Sequence, residues 1–141
     1  MSSRVYAVIP VHNGIEHTLP TVRSLLPLMP PGSRVVVVDD GSDDRTIIDA
    51  NKFGAELIVH SKNAGKGRCI REGLEYALEN GCNVAITMDG DGQHDLAEID
   101  KFLAEYRRSG ADIVLGNRMH RPMNEQTATV IGYFARRSLA R

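Results

Sequence analysis

Short apolar runs recur along the chain and are separated by longer stretches in which apolar residues return with a helical period. The apolar runs predict strands over residues 4–9, 35–38, 55–60 and 83–88, and a fifth over 112–115. The run over 35–38 consists of valine alone, which is typical of a strand buried on both faces. The pattern therefore predicts a sheet whose central strands are covered on both sides.

The stretches between these runs predict helices. The first begins with Thr18 as its N-cap and has Pro20 in its first turn, and a proline-rich segment over 27–31 ends it. The second covers about 43–53, with Ser42 or Asp43 as its cap. The third follows Gly67 and is predicted to bury one face, formed by Ile70, Leu74, Ala77 and Leu78.

Two further helices are predicted near the end of the chain. One begins at a capping box of Asp95 and Glu98 and ends at Gly110, with its inward face formed by Ile99, Phe102, Leu103 and Tyr106. The other covers 124–139 and places an apolar stripe beside arginines. Core packing and contact with an anionic membrane surface both stay open for this last helix.

Strands and helices thus alternate along the whole chain. This order predicts an α/β fold with three layers, α/β/α, in which helices cover both faces of a mostly parallel sheet. Ligands of such sheets bind at the carboxyl ends of the strands. That rule brings four polar or glycine-rich loops to one edge, over residues 10–14, 39–42, 63–67 and 89–94.

Composition narrows the class of protein. A chain of 141 residues fits one domain, and 42% hydrophobic with 25% charged residues is ordinary for a soluble globular protein. The net charge of −1 gives no bulk attraction for nucleic acid. Cys69 and Cys82 show no zinc-binding spacing, so we expect reduced thiols in a cytoplasmic protein.

The segment Asp89-Gly90-Asp91 carries the clearest candidate chemistry. Two carboxylates one residue apart at a strand end suit a hard divalent cation such as Mg2+ or Mn2+. The side-chain carbonyl of Gln93 can join the metal ligands, and His94 is a candidate neighbour of the site. Taken alone, the segment is explained more readily as a polar turn with two solvated aspartates.

Three other segments suggest binding of a nucleotide or phosphate. Asp39 and Asp40 can accept hydrogen bonds from a base or ribose, or can simply cap a helix. Gly65-Lys66-Gly67 combines backbone amides at a helix start with a cation, which suits a phosphate, although a flexible turn with a solvated lysine is the alternative. Arg118 follows the predicted fifth strand and can reach a diphosphate.

Taken together, five segments resemble glycosyltransferase family 2, in particular the branch of dolichyl-phosphate mannosyltransferase and bacterial polyprenyl-phosphate glycosyltransferases. They occur in the family's order: Val8-Ile9-Pro10-Val11-His12-Asn13, Val36-Val37-Val38-Asp39-Asp40-Gly41-Ser42, Asn63-Ala64-Gly65-Lys66-Gly67, Met88-Asp89-Gly90-Asp91-Gly92-Gln93-His94 and Ile113-Val114-Leu115-Gly116-Asn117-Arg118. The resemblance implies a nucleotide-diphospho-sugar transferase (GT-A) fold, a UDP- or GDP-sugar donor, Mg2+ or Mn2+, and inversion at the anomeric carbon.

The resemblance also implies roles for single residues. Asp89 and Asp91 would be the catalytic D-x-D pair that holds the metal together with Gln93. The nucleotide sugar would be bound by Pro10, His12, Asn13, Asp39, Asp40, Lys66, Asp89, Gly90 and Arg118. Two positions depart from the family pattern, because His12 stands where tyrosine is usual and Gly14 where glutamate is frequent.

The acceptor side is less well represented in the sequence. Family catalytic domains usually continue past this point, so we expect residues 1–141 to form a single donor-binding catalytic domain that is incomplete at its C-terminus. A polyprenyl phosphate is the expected acceptor, which would place the protein in the cytoplasm or at the inner membrane face. Two alternatives are a nucleotide-sugar-binding module without turnover and a sugar-nucleotide pyrophosphorylase.

Overall fold

A computed structural model of the chain describes residues 4–43 and 46–116. Four strands and four helices alternate in it. The strands are β1 (Val5–Val11), β2 (Arg34–Asp39), β3 (Glu56–Val59) and β4 (Val84–Thr87), and the helices are α1 (Ile15–Leu25), α2 (Thr46–Lys52), α3 (Lys66–Glu79) and α4 (Ile99–Ser109). Single 3-10 turns follow α1, at Leu26–Leu28, and precede α4, at Leu96–Glu98.

The four strands form one parallel sheet in the order β3-β2-β1-β4. The all-valine run lies in β2 and is fully buried, as its lack of alternation predicts. The odd-numbered residues of β1 pack with α1, α2 and α4, whereas Tyr6 and Val8 face α3. The predicted three-layer α/β/α arrangement is confirmed, and it gathers the carboxyl ends of all four strands at one edge.

Helix α1 begins earlier than its sequence predicts. Its N-cap is Gly14, whose φ of 83° lies in the left-handed region, and the helix runs from Ile15. Thr18, the expected cap, is instead buried in the helix, and its hydroxyl donates a hydrogen bond to the carbonyl of Gly90 at 3.3 Å. The prediction for Thr18 was wrong because a long-range contact, rather than a helix end, uses this hydroxyl. Pro20 lies inside the helix.

Helix α3 packs on the sheet through small residues. Its buried residues are Cys69, Gly73 and Ala77, while Leu78 of the predicted apolar face is 37% exposed. A Cβ atom on Gly73 would lie 2.3 Å from Cγ1 of Val8, so the helix backbone touches the sheet where a side chain would not fit. The predicted face is confirmed for the buried Ala77 and for Leu74, which packs against the core, and it is wrong for Leu78. Periodicity counted large apolar residues, whereas close packing placed the small residues Cys69 and Gly73 innermost.

Helix α4 follows its prediction. Asp95 accepts a hydrogen bond from the amide of Ala97 at 3.0 Å and so caps the 3-10 turn that leads into the helix. Ile99, Phe102 and Leu103 are buried, and Tyr106 packs against the same core. Gly110 ends the helix with a φ of 62°, a conformation that glycine adopts without strain.

The predicted fifth strand does not form over residues 112–115. These residues have no strand partner within the part of the chain that the structure describes. Val114 packs against the core, but Ile113 is 56% and Leu115 is 63% exposed. A strand requires ladder hydrogen bonds to a neighbouring strand, and residues 112–115 join no sheet formed by the described residues. The helix predicted over 124–139 lies outside the described residues.

Within residues 4–43 and 46–116, no helix combines the length and hydrophobicity needed to cross a membrane.

Candidate functional site: a cleft at the carboxyl edge of the sheet

A cleft of about 450 Å³ opens at the edge where the four strands end. This volume lies within the range of roughly 300–1,000 Å³ that is typical of small-molecule sites. The cleft is bordered by residues from the β1–α1 loop, from the start of α3 and from the turn after β4: Pro10, Val11, His12, Asn13, Gly14, His17, Thr18, Asp40, Asn63, Gly65, Lys66, Cys69, Asp89, Gly90 and Asp91.

Asp40 connects the loops on the β2 side of this cleft. One carboxylate oxygen accepts a hydrogen bond from the amide of Ala64 at 2.7 Å, and the other accepts one from the amide of Gly65 at 2.9 Å. The backbone carbonyl of Asp40 accepts a hydrogen bond from Nδ1 of His12 at 2.8 Å. Asp40 therefore fixes both the β1–α1 loop and the loop that leads into α3.

The ionised form of Asp40 is strongly favoured. Burial by itself would raise the pKa of this carboxyl group, since the residue is only 4% exposed. Hydrogen bonds from His60 and from the amides of Ala64 and Gly65 outweigh burial and lower the pKa to about 2. The carboxylate is therefore charged throughout the physiological pH range.

His60 bridges two carboxylates. Its Nδ1 lies 2.9 Å from Oδ1 of Asp40, and its Nε2 is hydrogen bonded to Glu72, which also accepts a hydrogen bond from Nε of Arg68 at 2.7 Å. Because carboxylates accept hydrogen bonds, both ring nitrogens donate and the imidazole is protonated. The hydrogen bonds to Asp40 and Glu72 accordingly raise the pKa of His60.

The β1–α1 and β2–α2 loops are tied together at Asn13. Its backbone amide donates to the hydroxyl oxygen of Ser42 at 2.8 Å, and its side-chain oxygen accepts from the amide of Asp43 at 2.9 Å. Asn13 itself has a φ of 58°, a conformation that asparagine tolerates better than most residues. These two hydrogen bonds hold the β1–α1 loop against the β2–α2 loop and so fix this part of the cleft.

Asp89 faces two cationic or potentially cationic side chains. Oδ1 forms an ion pair with the ammonium of Lys66, and Oδ2 lies 3.6 Å from Nε2 of the buried His94. Burial works against the ionised form, but the hydrogen bond and charge of Lys66 outweigh it and lower the pKa of Asp89. Asp89 is thus a charged carboxylate paired with the ammonium of Lys66. His94 lies beside it, as predicted.

Asp91 and Gly90 complete the turn after β4. Asp91 is exposed, and its Oδ1 accepts a hydrogen bond from the amide of Gln93 at 3.0 Å. A Cβ atom on Gly90 would lie 2.8 Å from Cγ1 of Val11, so the turn approaches β1 closely. This close approach keeps both carboxylates of the D-x-D motif at the cleft.

Asp39 differs from Asp40 because one of its carboxylate oxygens accepts no hydrogen bond from the described residues. The residue is fully buried, and Oδ2 accepts a hydrogen bond from the amide of Ser42 at 3.1 Å. Oδ1 is buried and has no hydrogen-bond partner among the residues that the structure describes. Leaving a buried carboxylate oxygen without a hydrogen bond costs free energy, so Oδ1 of Asp39 is suited to accept a hydrogen bond from a ligand.

Most of the sequence-predicted site residues come together around this cleft. They are Pro10, His12, Asn13, Asp40, Lys66, Asp89, Gly90 and Asp91. Asp39 and Gln93 are not among the described residues that border it. Asp39 precedes the lining residue Asp40, and the amide of Gln93 donates to the lining residue Asp91. Arg118 lies outside the described residues, and its predicted contact with a diphosphate stays a prediction.

The sequence did not reveal three side chains that support the loops of the cleft, those of His60, Cys69 and Glu72. His60 follows β3, so the strand-end rule that selected the other loops also applies to it. Cys69 and Glu72 lie in the first two turns of α3, where a single sequence gives no signal that they meet His60. Only the packing of α3 on the sheet shows this.

Two sets of residues could hold a metal. Asp89 and Asp91 offer carboxylate oxygens, the ligands that Mg2+ and Mn2+ prefer. Asp40, His60 and Cys69 offer one oxygen, one nitrogen and one sulfur, with ligand atoms that all lie within 4.8 Å of one another. The two sets differ in chemical softness and therefore in the metal that they favour.

A family model describing glycosyl transferase family 2 matches residues 6–136, which is most of the chain. The chain belongs to glycosyl transferase family 2. The family 2 chain spans about half the length of the curated relatives it matches. One of them, undecaprenyl-phosphate mannosyltransferase from Micrococcus luteus, is 35% identical over 120 residues, which cover 82% of this chain and 48% of the relative.

The chain is also similar to a second curated relative and, in its fold, to a solved structure. Polyprenol monophosphomannose synthase from Mycolicibacterium smegmatis is 29% identical over 123 residues, covering 83% of the family 2 chain and 46% of the relative. Glucosyl-3-phosphoglycerate synthase from Mycobacterium tuberculosis, solved with Mn2+, UDP-glucose and phosphoglyceric acid, matches with a TM-score of 0.61 at 20% identity, covering 79% and 41% of the two chains. The fold of the family 2 chain is therefore of the nucleotide-diphospho-sugar transferase (GT-A) type.

Proposed function

We propose that this chain carries the donor-binding part of a metal-dependent, inverting glycosyltransferase that moves a sugar from a nucleoside-diphosphate donor to a polyprenyl phosphate. The observation that carries the proposal is the pair Asp89 and Asp91 bordering the same cleft as Lys66, at the carboxyl edge of the sheet of a family 2 chain. Carboxylates for a metal and a cation for a phosphate occur together there.

The residues around Asp89 fit a divalent cation. Asp89 is ionised, partly buried and paired with the ammonium of Lys66, and this pairing supports a position for a positive charge here. Asp91 offers a second, exposed carboxylate. Asp89 and Asp91 would hold Mg2+ or Mn2+, which when bound neutralises charge on the departing diphosphate.

The start of α3 suits the phosphates of the donor. The helix has 14 residues and begins at Lys66, so its first-turn amides and its partial positive charge lie beside the cleft. The ammonium of Lys66 adds a full charge. With Asp89 serving a metal, the ammonium of Lys66 would be available to the diphosphate.

The opposite side of the cleft suits a nucleoside. Pro10 and His12 present flat rings to the cleft. An N–H of the base or an O–H of the ribose is the kind of donor that the buried Oδ1 of Asp39 lacks, next to the cleft-lining Asp40. Nδ1 of His12 donates to the carbonyl of Asp40, which fixes the imidazole ring in place. Asp40 would act on the nucleotide through the loops that it holds, because its own oxygens already accept three hydrogen bonds.

The names of two relatives favour a lipid phosphate as the acceptor. The relatives from Micrococcus luteus and Mycolicibacterium smegmatis are named for polyprenyl acceptors. A phosphate oxygen is already ionised near neutral pH, so its attack on the anomeric carbon needs no side-chain base. Attack from the face opposite the leaving diphosphate inverts the anomeric carbon, and a lipid acceptor places the reaction at a membrane surface.

A transfer assay tests this proposal. The chain is incubated with GDP-mannose or UDP-glucose, Mn2+ and a short-chain polyprenyl phosphate in detergent, and both glycolipid and released nucleoside diphosphate are measured. We expect metal-dependent glycolipid formation that Asp91→Asn abolishes. Donor binding without transfer or hydrolysis would instead support a binding module without turnover. Absence of both binding and transfer with every donor would contradict the proposal.

A further inference from the structure

Behind the cleft, three different ligand types converge on one point. Oδ1 of Asp40 lies 2.9 Å from Nδ1 of His60, and Sγ of Cys69 lies 3.8 Å from the same nitrogen. All three ligand atoms lie within 4.8 Å of one another. In a tetrahedral zinc site with metal–ligand distances of about 2.0–2.3 Å, ligand atoms lie roughly 3.3–3.8 Å apart, so shifts of about 1 Å or less bring all three to a shared ion.

The groups around His60 match those that support a metal-binding histidine. Such a histidine usually binds the metal with one ring nitrogen and donates the other N–H to a carboxylate, which fixes its orientation. Here Nε2 of His60 is hydrogen bonded to Glu72, which in turn is held by Arg68. The ring is thus oriented so that Nδ1 faces both Asp40 and Cys69.

Asp40 can bind an ion without losing its structural role. Its two oxygens accept hydrogen bonds from the amides of Ala64 and Gly65, and these bonds do not involve His60. Among the hydrogen bonds of Asp40, a metal would replace only the one from Nδ1 of His60 to Oδ1. Asp40 and Cys69 both border the cleft, which provides a route of entry from that side.

We propose that Asp40, His60 and Cys69 form a binding site for Zn2+ or a similar thiophilic divalent cation, separate from the carboxylate pair Asp89 and Asp91. On binding, Cys69 loses its thiol proton and His60 loses the proton on Nδ1, so two protons are released and the fourth ligand position is left to water. One sulfur and one imidazole ligand favour Zn2+ or Cd2+ over Mg2+.

Titration of the full, metal-free chain with Cd2+ tests this proposal, because a cadmium–thiolate bond gives an ultraviolet charge-transfer absorption that carboxylate binding does not. We expect one equivalent of Cd2+ to produce the absorption and Zn2+ to compete it away. Cys69→Ser and Cys69→Ala should abolish it. Cys82→Ser is the matched control and should retain it, since the thiol of Cys82 is buried elsewhere and donates to the carbonyl of Val84 at 3.0 Å.

Circular dichroism shows whether the Cys69 variants fold. If they do not, two further variants still test the proposal. Glu72→Gln should retain the absorption at saturation but weaken Cd2+ binding by about 10–100-fold, as expected for loss of an outer-shell partner. Asp91→Asn should change neither the absorption nor the affinity. The proposal is overturned if the wild type shows no thiolate absorption, if Cys69→Ala retains it, or if Glu72→Gln binds as tightly as the wild type.

Discussion

At the scale of single residues, Asp40 and His60 determine how the loops of the cleft are held. Asp40 is buried, ionised and bonded to two amides of the loop before α3, and His60 links it to Glu72. The sequence alone identified Asp40, because acidic residues at a strand end indicate ligand binding. It did not identify His60, because one histidine after a strand is uninformative until its two partners are known.

The Asp40–His60 pair predicts a specific pH dependence of stability. Because Asp40 and Glu72 raise the pKa of His60 above its ordinary 6.5, the ion pair stabilises the fold fully below that pH and is lost as pH rises through the raised pKa. The difference in unfolding free energy between wild type and His60→Gln should therefore be largest below pH 6.5 and shrink as the pH rises through the raised pKa of His60. Denaturation with a chelator present measures it, and a constant difference would contradict the assignment.

The same pair predicts a loss of stability in acid. The pKa of Asp40 is lowered from 3.8 to about 2, so its contribution is present above pH 3.8 and disappears as pH falls towards 2. This shift corresponds to roughly 2 kcal/mol. Asp40→Asn should be less stable than wild type at neutral pH, and the two should approach each other near pH 2. If the difference stays unchanged in acid, the carboxylate is not stabilised in the way described.

Gly41 gives a residue-scale prediction about the β2–α2 loop. Its φ is 74°, and a Cβ atom there would lie 2.7 Å from the backbone carbon of Lys62. Gly41→Ala combines a left-handed strain of about 1–2 kcal/mol with a backbone clash. Gly54→Ala is the matched control, because Gly54 has a φ of 88° but open space around it. Chemical denaturation should show a larger loss for Gly41→Ala, and equal losses would refute the clash.

At the scale of elements, the strands were easier to predict than the contacts of the helices. The buried strands β1, β2 and β4 are apolar on both faces, so their composition alone indicates their burial. The start of α1 and the face of α3 depend on contacts with residues far away in the sequence, Gly90 for Thr18 and Val8 for Gly73. A strand over 112–115 also depends on a partner, which the local pattern cannot supply.

The packing of α3 gives a prediction at this scale. Gly73→Ala places a Cβ atom 2.3 Å from Cγ1 of Val8 and should destabilise the fold by about 1–3 kcal/mol through overpacking. Gly67→Ala lies in the same helix with open space around it, so it should be neutral or stabilising by up to about 1 kcal/mol.

A double-mutant cycle separates the clash from other effects of the Gly73 substitution. Val8→Ala removes the clashing methyl groups, so Gly73→Ala should cost less in the Val8→Ala background than in wild type. Thermal and urea unfolding of the four chains provide the comparison. If the cost of Gly73→Ala is the same in both backgrounds, α3 does not pack on β1 through this contact.

At the scale of the whole molecule, the sequence predicted the three-layer fold and the edge where the loops meet. It did so because alternating strands and helices allow few topologies and because parallel strands share one carboxyl edge. It could not predict how the loops are joined, since the bonds from Asp40 to Ala64 and Gly65 and from Asn13 to Ser42 and Asp43 link distant segments. The family 2 motifs and the described residues both include the loops of this cleft.

The most direct test of the central claim is calorimetric titration of the chain with UDP- and GDP-sugars, with and without Mn2+. We predict binding of at least one donor that is strengthened about tenfold or more by Mn2+, which corresponds to about 1.4 kcal/mol or more. Asp91→Ala should lose this metal-dependent gain, while Asp100→Ala on the exposed side of α4 should retain it. Equal donor binding with and without Mn2+, or an unchanged gain in Asp91→Ala, would contradict the account.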